Sequence, residues 1–188
     1  LKNPAEYEAA VTNALTGAPE YFGKDAMKQD DYRLIMASSA IPVACRPVEM
    51  NGIPYFDGGL ADAIPVRRAR EKGCGRMVVI LSKNRDYVRK PQGLRLLYRG
   101  ACRKYPKVVE RIERRHLAYN ENLREVFALE RDGQAFVLAP SEPLHVGTYS
   151  MKEPAEQALY DLGLKDFAAQ RDALQAFLSP GAPRERPS

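Results

Sequence analysis

An α/β fold is what this sequence predicts, and three observations carry the prediction. "RMVVILS" (Arg76–Ser82) is a continuous, largely β-branched run between turn signals, and it reads as a buried strand. A helix precedes it, so parallel pairing is expected. "RPVEMNGIPYF" (Arg46–Phe56) reads as a hairpin turning at Asn51-Gly52, one of the strongest short-range turn pairs. Strand, helix and strand in succession mark an α/β layer.

Taken in order, the elements are as follows. In "EYEAAVTNALTG" (Glu6–Gly17), Tyr7, Ala10, Val11, Ala14 and Leu15 share a helical face and Gly17 offers a stop, so a helix is expected. "DDYRLIMASSA" (Asp30–Ala40) reads as a second helix, with Asp30 or Asp31 as N-cap and Pro42 ending it. Pro65 suits the first turn of a helix through Ala69 and Lys72 that Gly73 closes. Lys83–Gly93 is a polar basic loop. From Pro106 toward Glu130, Val108, Val109, Ile112, Tyr119, Leu123, Val126 and Phe127 recur at helical spacing, leaving Glu110, Arg111, Arg114, Glu121 and Arg124 outside. "GQAFVLAP" (Gly133–Pro140) is a short buried strand. The run Glu153–Leu178 reads as two helices hinged at Leu162-Gly163, and the residues after it as a frayed tail.

The 188 residues, 45% hydrophobic and 28% charged, suit one globular domain and exclude disordered and collagen-like classes. No apolar window approaches a membrane span, and no signal-type segment opens the chain. Cys45, Cys74 and Cys102 form no CxxC pair and are expected as free thiols in a reducing, cytoplasmic compartment. His116 and His145 offer no metal-ligand spacing. The net charge of +5 sits largely in Arg67–Arg76, Lys83–Lys104 and Lys107–Arg115, a basic surface for water, nucleic acid or anionic lipid.

The stretch that bears on chemistry is "GIPYFDGGLADAIP" (Gly52–Pro65). A strand ending at Phe56 leaves Asp57 at a sheet's carboxyl end, where α/β layers place ligand chemistry. Gly58 and Gly59 permit a sharp turn and close approach of another segment. Asp57 reads equally as an Asx-turn that bonds its own backbone. Upstream, Ser38 and Ser39 in "ASSAIP" are either site-lining hydroxyls or a serine-rich helix end. Asp62 either lines the site or caps the helix opened by Pro65.

Taken together, "MASSAIPVACRPVEMNGIPYFDGGLADAIPV" resembles the second half of a patatin-like phospholipase domain, where a Ser-Ser-Ala-x-Pro helix end leads through a hairpin to Asp-Gly-Gly or Asp-Gly-Ala. "YPKVVERIERRHLAYNENLREVFALERDGQAFVLAPSEPL" and "LYDLGLKDF" are similar to the C-terminal extension of a bacterial subgroup. The resemblance runs from about Tyr7 to Phe177. It implies part of a three-layer patatin-like sheet with flanking helices: residues 1–92 from the catalytic domain, 93–178 a helical extension packed on it, and 179–188 a disordered tail. Plant members carry asparagine six positions after the motif's aspartate; here that position is Ala63.

What the resemblance implies chemically is ester hydrolysis by a Ser-Asp dyad, with neither metal nor cofactor. A serine on a Gly-x-Ser-x-Gly elbow attacks the acyl carbonyl, and Asp57, by its match to the motif, takes the proton. The substrate would be a phospholipid or another acyl-ester lipid. No serine in this chain has a glycine two residues before it, and the glycine-rich oxyanion stretch is absent. Both are expected in polypeptide preceding Leu1, and these residues alone are expected to be inactive. The basic segments, "YVRKPQGLRLLYRGACRKYPK" above all, read either as a surface for an anionic membrane or as a solvated helix face whose apolar residues pack on the domain, and not as a nucleic-acid site. The alternative is a non-catalytic membrane-surface or protein-interaction module.

Overall fold

The computed structural model describes residues 4–143 and 153–179. They fall into two units, one from the residues up to Pro65 with Arg89–Asn122, the other from Val66–Val88 with Leu123 onward. Helices and strands are mixed throughout, as the α/β prediction requires, and the architecture is consistent with a partial patatin-like fold.

The first unit is built on a four-stranded sheet of β1 (Glu8–Asn13), β2 (Pro19–Gly23), β3 (Val48–Met50) and β4 (Ile53–Asp57), in the order β2-β1-β4-β3. Every pairing in it is antiparallel. The helix expected over Glu6–Gly17 is therefore a strand and a turn. The reason is burial: β1 is flanked on both edges, and Ala9, Val11, Thr12 and Asn13 are all buried. A strand covered on both faces shows no polar alternation, and a run of small residues then mimics a helical stripe.

The turn after β1 is organised by a side chain. Asn13 Oδ1 accepts from the backbone N–H of Leu15 (2.9 Å) and Thr16 (3.1 Å), while its Nδ2 donates to Glu20 at 2.7 Å. Gly17 does occupy the left-handed region, at φ 71, but within this turn. The β3–β4 hairpin forms as the sequence indicates. Asn51 (φ 52) and Gly52 (φ 78) both take positive φ, the signature of the tight turn that matches strand twist.

Helix α1 (Arg33–Ser38) is shorter than expected, with Tyr32 at the N-cap position. Asp31 still accepts from the Arg33 N–H at 3.1 Å, so an acid serves the helix start from one residue outside. Against the sheet, Leu34 and Ala37 join Ala9, Val11 and Tyr55 in one core cluster. A second cluster joins Phe56 and Leu60 to Tyr98 and Cys102, from α3 (Arg95–Ala101) and its C-cap, and to Val108 and Ile112 of α4 (Pro106–Arg131). Each such large side chain contributes roughly 1.5–3 kcal/mol on full burial.

In the second unit, α2 (Val66–Glu71) closes at Gly73, which lies at φ 83. Strands β5 (Met77–Ile80) and β6 (Ala135–Leu138) pair in parallel, as predicted. Full burial of β5 does not hold among the described residues. Met77 and Val79 are buried, but Val78 is 39% exposed and Ile80 77%. The run Glu153–Leu178 is one continuous helix, α5, and not two hinged at Leu162-Gly163. Buried Leu162 holds the junction, and a helix accommodates one glycine at only about 1 kcal/mol relative to alanine. The proposed tail beyond 179 lies outside the described residues. No described helix is long and apolar enough to cross a membrane.

Two outcomes are expected. Nothing lies within 4 Å of a Cβ built on Gly163, so Gly163→Ala should raise stability by about 1 kcal/mol in chemical denaturation. An unchanged or lowered midpoint would restore the hinge. Tyr55 is buried and donates to Glu20 Oε2 at 2.8 Å; burial first, that hydrogen bond second and the Glu20 charge third push its pKa up to about 12. An unfolded tyrosine ionises near ~10. The stability Tyr55 contributes is thus complete below that pH and lost as pH climbs toward about 12. Tyr55→Phe should flatten this alkaline limb in a series of denaturation midpoints against pH.

Candidate active site

Strand β4 delivers Asp57 as its last residue, and a single 3-10 turn, Gly58–Leu60, follows. Three bonds pin the acid. Its N–H donates to Ala40 O at 3.0 Å, its carbonyl accepts from Thr12 Oγ1 at 2.8 Å, and its Oδ1 accepts from the Gly59 N–H at 2.8 Å. The Asx-turn reading is thus correct for one carboxylate oxygen. The other, Oδ2, has no hydrogen-bond partner among the described residues, and the side chain is half-buried. Turn-making therefore occupies half of the carboxylate and leaves the rest available as an acceptor.

The two glycines differ. A Cβ on Gly58 would lie 2.2 Å from the Ala10 carbonyl oxygen and 2.4 Å from its carbon, inside any tolerable contact. Gly58 is what lets the turn sit against β1. At Gly59 the nearest atoms are Arg115 Nη2 and Asp57 Oδ1, both at 3.3 Å and both side-chain tips. On these contacts a Cβ at position 59 asks only for a small shift of side-chain tips, whereas one at position 58 meets backbone that cannot give way.

The other residues singled out by sequence separate in space. Ser38 Oγ donates to the Ala10 carbonyl at 2.8 Å, the same carbonyl that excludes a side chain at Gly58. Ser39 is exposed and donates to Ile35 O at 2.8 Å within its own helix, as a serine-rich helix end does. Among the described residues Asp62 makes no backbone bond that caps the following helix. Its Oδ2 accepts from Tyr21 O–H at 2.5 Å and its Oδ1 from Asn122 Nδ2 at 3.0 Å, joining β2 to α4.

Sequence reasoning missed two arginines. Arg111 and Arg115, one turn apart on α4, each donate Nε to a glycine carbonyl, Gly17 at 2.7 Å and Gly59 at 2.8 Å. Arg111 had read as solvated, but it is half-buried over the β1–β2 turn. The i,i+4 spacing is visible in the sequence; the glycines they reach, 94 and 56 residues away, are not. His116 Nδ1 is buried without a hydrogen-bond partner among the described residues. His145 lies outside them. Burial raises the Cys102 pKa, as suits a packed thiol, while Cys45 and Cys74 are exposed and free. In the second unit, a largely apolar cavity of about 380 Å³ lies among β5, β6 and α5, lined by Ile80, Leu138, Leu162 and Phe167.

A strand that ends in an acid on a two-glycine turn is the arrangement to which known proteins can be compared. Residues 2–70 match the family model of patatin-like phospholipases, which supports that family. Residues 105–179 match a domain of unknown function, DUF6363. The chain is 32% identical over 149 residues to the uncharacterized protein YjjU of Escherichia coli (strain K12). That alignment covers 78% of this chain and 41% of the relative, so the chain spans less than half of the relative's length.

The glycine asymmetry sets a test. Gly58→Ala should destabilise by ~2 kcal/mol or more, as overpacking against fixed backbone does, or abolish folding. Gly59→Ala should stay within about 1 kcal/mol of the parent by urea denaturation. Equal effects at the two positions would remove the close-approach argument.

Proposed function

We propose that this chain contributes the carboxylate of a Ser-Asp dyad to a patatin-like acyl hydrolase acting on a phospholipid or another acyl-ester lipid. In this reading Asp57 is the base, residues 1–92 belong to the catalytic domain and 93–178 to an extension. The nucleophilic serine belongs to polypeptide of the same protein beyond these 188 residues. The observation that carries the reading is Asp57 itself. Main-chain and Oδ1 bonds fix it at the end of β4, and Oδ2 is left without a partner among the described residues. The family match over residues 2–70 includes this position.

The chemistry follows from that geometry. A serine hydroxyl attacks the acyl carbonyl carbon and its proton passes to Asp57 Oδ2. The tetrahedral intermediate collapses, the ester C–O bond breaks, and Asp57 returns the proton to the departing alcohol oxygen. Water then attacks the acyl-serine, Asp57 takes one of its protons, and the carboxylic acid leaves as the serine is reprotonated. A free carboxylate, with a pKa near ~3.9, is a weak base in water. Holding it rigidly within hydrogen-bond reach of the hydroxyl is what makes the transfer effective. Ser38 supports the turn through Ala10, and Arg115 supports it through the Gly59 carbonyl.

The test uses the full-length protein and a p-nitrophenyl ester. Asp57→Asn should lower kcat by roughly 10²–10⁴-fold with the fold intact by circular dichroism. The 188-residue chain alone should show no turnover above buffer. A full-length Asp57→Asn enzyme with parental kcat would remove Asp57 from the reaction.

A further inference from the structure

Helix α3 is anchored on one side and bare on the other. Tyr98 and Cys102 sit in the core with Phe56, Val108 and Ile112. Leu96 and Gly100, at i and i+4, follow the opposite side, with Leu97 beside them and Arg103 in the turn that follows the helix; Leu96 is 89% exposed and Leu97 54%. Leu94, directly before the helix, is 74% exposed and held at φ 59. That is the left-handed region, where a bulky side chain is disfavoured and glycine or asparagine sits far more readily. Single exposed leucines are ordinary, but three within four residues make a patch.

Cations share this stretch of the chain with the leucines. Lys90, Arg95, Arg99, Arg103 and Lys104 are all exposed, and no acid occurs between Tyr87 and Lys104. Glu113 of α4 takes up Arg95 (3.1 Å) and Arg99 (2.8 Å). Lys90, Arg103 and Lys104 have no carboxylate partner among the described residues. The stretch therefore offers exposed apolar side chains together with exposed positive charge. Nucleic acid would use the charge and find nothing for the leucines. A bilayer containing anionic lipid uses both, with apolar side chains at the headgroup–acyl boundary and cations against phosphate.

We propose that α3 and the loop before it form the surface on which this protein docks to an anionic lipid bilayer, Leu94, Leu96 and Leu97 entering the interface and Lys90, Arg103 and Lys104 meeting its headgroups. This rests on the reading of the chain as part of a lipid acyl hydrolase, whose substrate is presented in an aggregate. Docking through α3 would make lipid hydrolysis depend on these leucines and leave hydrolysis of a dissolved monomeric ester independent of them.

The experiment uses full-length protein, sedimented with phosphatidylcholine vesicles with or without phosphatidylglycerol, and assayed in parallel on a dissolved short-chain p-nitrophenyl ester. The parent should sediment with the mixed vesicles and not with the neutral ones. Leu96→Ser/Leu97→Ser should weaken that binding at least tenfold, and Arg103→Glu/Lys104→Glu should abolish its dependence on the anionic lipid. Turnover of the dissolved ester should be unchanged in both variants. Parental vesicle binding by the leucine variant would overturn the proposal. So would binding to duplex DNA lost in the charge variant and kept in the leucine variant without any vesicle binding. A protein that docks to vesicles but hydrolyses no dissolved ester would leave the docking surface standing and defeat the catalytic reading.

Discussion

The site depends on one close approach, that of Gly58 to the Ala10 carbonyl of β1. Only a residue without a side chain lets the turn after β4 rest against the strand beside it. The same carbonyl accepts from Ser38, so α1, β1 and the Asp-Gly-Gly turn meet at one backbone oxygen. Thr12, two residues along, closes the assembly by donating to the Asp57 carbonyl. Asp57 is thereby fixed by the main chains of Ala40 and Gly59 together with the hydroxyl of Thr12.

Helix α4 acts as a brace on this arrangement. Val108 and Ile112 bury it against Phe56 and Leu60, which flank the acid on either side in sequence. Arg111 and Arg115 then reach from the same helix to carbonyls of the two glycine turns. Hydrogen bonds from a charged donor are stronger than neutral ones, and here each satisfies a turn carbonyl while placing a cation beside it. The basic character of this helix is therefore partly architectural. Of the exposed cations around α3, Arg95 and Arg99 pair with Glu113 while Lys90, Arg103 and Lys104 have no carboxylate partner among the described residues, so the charges are distinguished by what they touch rather than by their residue type.

Legibility followed the range of the interactions. The Asn51-Gly52 hairpin, α4, the parallel pair β5 and β6, and the glycine stop of α2 were readable because each rests on a local rule of period or φ. Strand β1 was misread because its residues are small and buried on both faces, which erases the alternation that marks a strand. The supposed hinge at Leu162-Gly163 was misread because glycine weakens a helix without ending it. At the site, the Asx-turn of Asp57 could be anticipated, but the roles of Arg115, Tyr21 and Asn122 could not, since nothing local joins residues 41 to 60 positions apart.

By itself the sequence determined the α/β class, the hairpin into Asp57, the need for glycine behind it and the family resemblance those residues carry. These follow from backbone preference and from residue order, which any reader of the chain possesses. Tertiary structure alone decided which oxygen of Asp57 the turn consumes, which of the two glycines is indispensable, and which leucines face outward. Those outcomes depend on what lies across the fold at distances of a few ångströms, and a linear pattern contains no measure of that.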